Sequence, residues 1–161
     1  MKKVVLAGIG IFLFITALTS YLQSFPPVKD TMTDIECKGK GVCFMGEVGE
    51  IVDRDTLYVN GKSIRLALIN SPELDNVDGI RAKEFTASIC PSGSHAIVDE
   101  DDGQLEGSFG RMIAAVYCND LLLNSALLES GHAILDHRFC SVSEFASEDW
   151  AKKSGDRKSV V

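Results

Sequence analysis

The sequence predicts a mainly β domain of the α+β class: a five-stranded closed barrel with about three helices, preceded by one hydrophobic N-terminal helix. Three observations lead there. Short β-rich segments surround an Asn60-Gly61 turn. A helix-forming stretch follows the third of these strands, and two further strands follow that helix. Residues 4–22, by contrast, carry no charge at all. The chain has 161 residues, of which 45% are apolar, enough for one domain with its own core. Charged residues at 24% exclude a wholly disordered chain.

The elements follow in order. Lys2 and Lys3 precede the uncharged run. As a helix, residues 4–22 span about 28 Å, close to the hydrocarbon thickness of a bilayer. The run is apolar all round, unlike the one-sided surface helix of a soluble domain. It reads as a signal anchor or a signal peptide over residues 1–24. In both cases the lysines stay on the cytoplasmic side, so the domain is expected outside: membrane-anchored if the helix is uncleaved, secreted if it is cleaved. Residues 25–41 read as a linker that opens with Pro26-Pro27, residues 42–153 as the domain, and residues 154–161 as a polar tail.

Within the domain, residues 42–52 read as a strand in which Gly46 and Gly49 permit bending. Residues 56–59 and 63–69 are the next two strands, joined by Asn60-Gly61, both of which accept positive φ. Ile64, Leu66 and Leu68 share one face, with Arg65 and Ala67 on the other. Residues 79–89 read as a helix stopped by Cys90-Pro91. Strands at 94–99 and 112–117 are joined by the acidic, glycine-containing stretch 100–110. Residues 124–130 form a short helix with Gly131 just beyond it. Ser141 and Glu144 make a capping box that opens a third helix, running to about Lys153. Five strands in this order, with a helix after the third, follow the plan of an oligonucleotide-binding barrel, the OB-fold.

Five cysteines follow the anchor. Cys90 and Cys118 flank a hairpin almost symmetrically, and Cys37 and Cys43 can close a short loop, which leaves Cys140 over. Zinc is the rival reading, although no pair has C-x-x-C spacing and the three histidines are scattered. The net charge is −7; without Lys2 and Lys3 it is −9, from 14 basic and 23 acidic residues. Proteins that hold nucleic acid electrostatically are usually basic, so the overall charge argues against that class. The acidic residues 99–102 suggest a surface domain that binds cations loosely; the plainer reading is a solvated charged turn.

Four groups carry possible chemistry. Asp53 and Asp55 lie two apart at the start of a strand and point the same way, as ligands of a hard cation would; a polar turn is the plainer account. Arg65 sits mid-strand, where its planar fork suits a phosphate or simply faces solvent. Asn70-Ser71-Pro72-Glu73 follows the third strand. Asn70 and the Ser71 carbonyl offer oxygen to a metal and Glu73 can take a proton from water; alternatively Ser71 caps a helix with Pro72 at its first position. Arg111 opens the fifth strand as a second guanidinium, or as a loop residue without a task. Together they make a cation site, a base and two phosphate forks. A meander brings the start of its second strand and the end of its third to one rim, beside which phosphodiester hydrolysis becomes possible.

The set resembles the staphylococcal-nuclease (thermonuclease) family from about Gly46 to Trp150. The carrying motifs are Ile-Val-Asp-Arg-Asp-Thr-Leu-Tyr-Val at 51–59, Ile-Arg-Leu-Ala-Leu-Ile-Asn-Ser-Pro-Glu at 64–73, Ala-Lys-Glu-Phe-Thr at 82–86, Phe-Gly-Arg at 109–111 and Leu-Asn-Ser-Ala-Leu-Leu-Glu-Ser-Gly at 123–131. The resemblance implies a calcium-dependent endonuclease that cuts single-stranded or locally melted DNA and RNA and leaves 3′-phosphates. It places calcium ligands at Asp55, Asn70 and the Ser71 carbonyl, supported by Asp53. It makes Glu73 the general base, and Arg65 and Arg111 the phosphate-binding arginines. No protein partner is implied; the membrane is a partner through the N-terminal helix if that helix is retained.

Three departures stand out. The family usually has aspartate where Asn70 stands, so calcium should bind less tightly. It usually has glycine where Arg54 stands, so Arg54 must accept a strained turn or adopt a different one. The base-stacking aromatic positions fall on His137 and Phe139. A local positive patch of Arg54, Arg65, Lys83 and Arg111 would serve a cleft in an acidic protein. The alternative from another class is a catalytically weak or inactive nucleic-acid-binding module on the same barrel.

Overall fold

The computed structural model describes residues 35–72 and 77–155. These lie in the second of the two units into which the chain divides, Asp34–Val161. The hydrophobic segment 1–24 and most of the linker fall outside the described residues. Among the described residues no helix is long and apolar enough to cross a membrane.

The elements are β1 (Cys43–Ile51), β2 (Thr56–Val59), β3 (Lys62–Leu66), β4 (Ile69–Asn70), α1 (Val77–Ile89), β5 (His95–Glu100), β6 (Met112–Cys118), β7 (Leu121–Leu122), α2 (Leu123–Glu129), β8 (Ile134–Leu135) and α3 (Asp149–Gly155). The sheet runs β3-β2-β1-β5-β6-β7, and a parallel pairing of β3 with β6 closes β1, β2, β3, β5 and β6 into a barrel. The domain is therefore an OB-like, mainly β barrel with three α-helices.

Closure depends on β1 changing partners. Residues 43–47 pair with β5, whereas Val48 and Ile51 pair with β2 across a register shift. Gly46 sits at this crossing: a Cβ there would lie 2.7 Å from the side chains of Val59 and Asn60, so only glycine allows β1 so close to the β2–β3 turn. That turn is built as expected, with φ of 49° at Asn60 and 73° at Gly61. Val48, Leu57, Val59, Ile64, Leu66, Val98 and Val116 fill the interior and are almost wholly buried.

Three expectations need correction. The third strand does not continue to residue 69. It ends at Leu66, and Leu68 takes φ of 59°, so alternation stops and Ala67, Leu68 and Ile69 are all buried. The chain turns here into β4, which pairs with β8 in a separate two-stranded ribbon. The turn is held by Asn124 on α2, fully buried, whose side chain accepts from Val116 N–H (3.0 Å) and donates to the Ala67 carbonyl (2.9 Å).

The capping box does not form either. The final stretch is a 3-10 turn over Glu144–Ser147, a break at Glu148, and then α3. The Glu144 carboxylate does not reach back to Ser141; it accepts from Asp102 N–H at 2.8 Å. Nor is the acidic stretch a solvated turn, because Asp99, Glu100 and Asp101 are buried. Asp99 accepts from Lys38 N–H, Glu100 from Val42 N–H, and Asp102 from the N–H groups of Lys40 and Gly41. These carboxylates satisfy the backbone of the loop that the Cys37–Cys43 disulfide closes. Cys90 and Cys118 form the second disulfide, and Cys140 is a free thiol.

Candidate active site

The rim where β2 and β3 begin and end collects most of the residues singled out from the sequence. Antiparallel pairing sets Thr56 opposite Arg65, and Asp55 directly precedes Thr56. Asp55 is 3% exposed, and its carboxylate forms an ion pair with Arg65. Burial pushes this carboxyl above its ordinary value, and the Arg65 guanidinium pulls it back only in part. The Asp53 carboxylate accepts from Asp55 N–H at 3.0 Å, which holds the two-residue step and makes Asp53 a supporting group.

Arg65 reaches further round the rim, donating to the Ile69 carbonyl at 2.9 Å. Arg111 arrives from a distant part of the chain. The parallel register pairs Ile64 with Met112, so Arg111 enters beside the start of β3, and its side chain reaches to β2. Its guanidinium donates to Thr56 Oγ1 at 3.2 Å, and Thr56 in turn donates to Asp55 at 3.2 Å. Arg111, Thr56, Asp55 and Arg65 therefore form one continuous chain of polar contacts. Such a pair of guanidiniums around a buried carboxylate can grip the oxygens of a phosphodiester.

Ser71 follows β4 and is buried, with an Oγ that has no hydrogen-bond partner among the described residues; Asn70, one residue earlier, is exposed. Glu73, the expected base, lies outside the described residues.

Arg54 supplies a feature the sequence alone did not reveal. It is absent from the positive-φ positions, so the 53–55 turn differs from one built on glycine and carries no strain there. Its carbonyl accepts from Thr86 Oγ1 on α1 at 3.3 Å, while Lys83 donates to the Val52 carbonyl at 2.9 Å. With its backbone so fixed, Arg54 donates from Nε to the Ser71 carbonyl at 3.0 Å. The donor set of Asp55, Asn70 and Ser71 is all oxygen and suits a hard cation, and the orphaned Ser71 Oγ lies beside it. Two of the three donors already face a guanidinium. Among the described residues no group of three or more His, Cys, Asp or Glu could hold a metal ion.

A cavity of about 130 Å³ opens beside Arg65, lined also by Gln104, Ser108, Ile113, Asp136 and Phe139. Phe139, expected as a stacking residue, thus faces the arginine rim, whereas His137 lies exposed on the same 3-10 turn. Asp136 was not foreseen. The Arg138 guanidinium, hydrogen-bonded to it at 2.8 and 2.7 Å, holds its carboxyl below the usual range, and Arg65 adds to the effect. Phe109 was quoted only as part of a motif. It is 97% exposed at φ of 52°, with the Arg111 guanidinium 6.0 Å from its ring. A large aromatic in a polar glycine-flanked turn was the signal available.

A closed five-stranded barrel with Arg65 on Asp55 and Arg111 on the adjoining Thr56 at one rim is a nuclease-type fold. The model of staphylococcal nuclease homologues matches residues 63–154, more than half of the chain, and the protein belongs to that family. The uncharacterized protein pXO1-141 of Bacillus anthracis is 32% identical over 104 residues, 58% of this chain and 48% of that protein. The chain thus spans about half the length of the curated relative it matches. The family consists generally of nuclease hydrolases acting on nucleic acid.

Proposed function

We propose that the protein is a calcium-dependent endonuclease that hydrolyses single-stranded or locally melted DNA or RNA outside the cytoplasm, anchored or released according to the fate of its first 24 residues. The observation that carries the reading is the Arg111–Thr56–Asp55–Arg65 chain at the barrel rim. Arg65 and Arg111 bind the non-bridging phosphate oxygens and stabilise the charge that grows on them. Asp55, the Asn70 amide oxygen and the Ser71 carbonyl would hold calcium, with Asp53 in support. Calcium, when bound, neutralises charge on the phosphodiester. Glu73 takes a proton from the attacking water. The water oxygen bonds to phosphorus as the bond to the 5′ oxygen breaks; a proton goes to that oxygen, leaving a 3′-phosphate and a 5′-hydroxyl. Phe139, beside Arg65, offers a face for a nucleobase. Arg54 and Lys83 extend the positive patch that lets an acidic protein accept a polyanion.

The full-length chain in detergent is expected to digest denatured DNA with calcium and to stop with a chelator. Glu73→Gln should cost about 10²-fold or more in rate; an equally active variant removes the proposed base. The second reading, a binding module without catalysis, is favoured by the guanidiniums already facing Asp55 and the Ser71 carbonyl. Stable oligonucleotide binding with no product over hours, at every calcium level, would decide for it.

A further inference from the structure

The residue next to the proposed cation ligands is itself a cation. Arg54 stands between Asp53 and Asp55, and its Nε donates to the Ser71 carbonyl at 3.0 Å. Its charge also acts on the Asp55 carboxylate, since Arg54 is among the groups that favour the ionised form there. Two anchors fix the backbone from which this side chain extends, because Thr86 bonds the Arg54 carbonyl and Lys83 the Val52 carbonyl. We propose that Arg54 is a resident counter-cation of the site, so that a calcium ion binds only by displacing its guanidinium from the Ser71 carbonyl. This rests on the calcium reading above and adds to it a regulation: occupancy is set by exchange between an internal and an external cation.

The exchange has two consequences. In the absence of calcium the site is already pre-formed, because Arg54 holds the Ser71 segment against the 53–55 turn. In its presence, affinity is weakened by the charge that must move aside. A unit positive charge about 6 Å from a divalent ion lowers its affinity about tenfold even at the dielectric constant of water. The neutral Asn70 does nothing to offset this.

The test is calcium titration of the full-length chain in detergent by isothermal calorimetry, with folding of each variant verified by circular dichroism. Arg54→Met keeps the stem and removes the charge. It is expected to bind calcium at least about tenfold more tightly than the unmodified protein, and Arg54→Lys to remain weak. Arg54→Gln serves in the same way if the methionine variant fails to fold. Equal affinities in the charged and neutral forms overturn the displacement role while leaving the calcium reading intact. Absence of binding to either protein overturns both.

Discussion

Asp55 and Arg65 make the sharpest test of the rim. Arg65→Met removes the guanidinium and leaves a carboxylate whose side chain is 4% exposed facing an apolar stem. Breaking a buried ion pair from one side costs about 3–5 kcal/mol. The Arg65 side chain is 19% exposed, so water already screens the pair, and Thr56 still donates to Asp55. A loss of about 2–4 kcal/mol at neutral pH is therefore expected. The loss should also depend on pH. Burial raises the Asp55 carboxyl in the folded state. A carboxyl raised on folding favours the folded state most at low pH, below its unfolded value, and that contribution disappears as pH rises through the folded value. Removing Arg65 raises the folded value further, since the opposing charge is gone. The gap between the two proteins is thus widest near pH 7 and narrows as the solution is acidified through the carboxylate range. Urea unfolding followed by tryptophan fluorescence at several pH values measures it, through Trp150. A deficit of the same size at pH 4 and pH 8 would refute the assignment of a charged, buried Asp55.

Two further outcomes concern the frame that holds the site. Asn124→Ala strips partners from Val116 N–H and the Ala67 carbonyl, both interior to the barrel, and should cost about 2–5 kcal/mol in unfolding free energy; a loss under about 1 kcal/mol would mean those groups find other partners. Replacing Cys90 and Cys118 together by alanine opens a link of sequence separation 28 and should destabilise by about 3.6 kcal/mol, against about 2.2 kcal/mol for the separation of 6 between Cys37 and Cys43. Thermal unfolding of the two double variants checks the order, which the reverse result would contradict.

Much of the barrel was legible in the sequence because its signals are local. Asn60-Gly61 specifies a hairpin through its own φ preferences, and that hairpin sets Thr56 across from Arg65 without help from the rest of the chain. The two disulfides were likewise readable, from symmetry about a turn and from a short loop. The first turn of the final helix was misread because a capping box is a statistical preference, and Glu144 finds a stronger tertiary partner in Asp102 N–H. The acidic stretch was misread for a related reason: composition records charge, whereas burial depends on the loop of residues 37–43 folding over it.

What sequence alone determined is the list of chemical groups, the pairing of strands that neighbour each other along the chain, and membership of a nuclease family through the order and spacing of several motifs. Only the tertiary structure decided which groups meet. Arg111 reaches Thr56 because β3 and β6 pair in parallel to close the barrel, a contact across 55 residues that no local pattern encodes. Arg54 reaches the Ser71 carbonyl because α1 pins the turn beneath it. Both contacts are set by long-range closure, where the entropy of bringing distant segments together is offset by the shared core and not by any preference of the residues themselves.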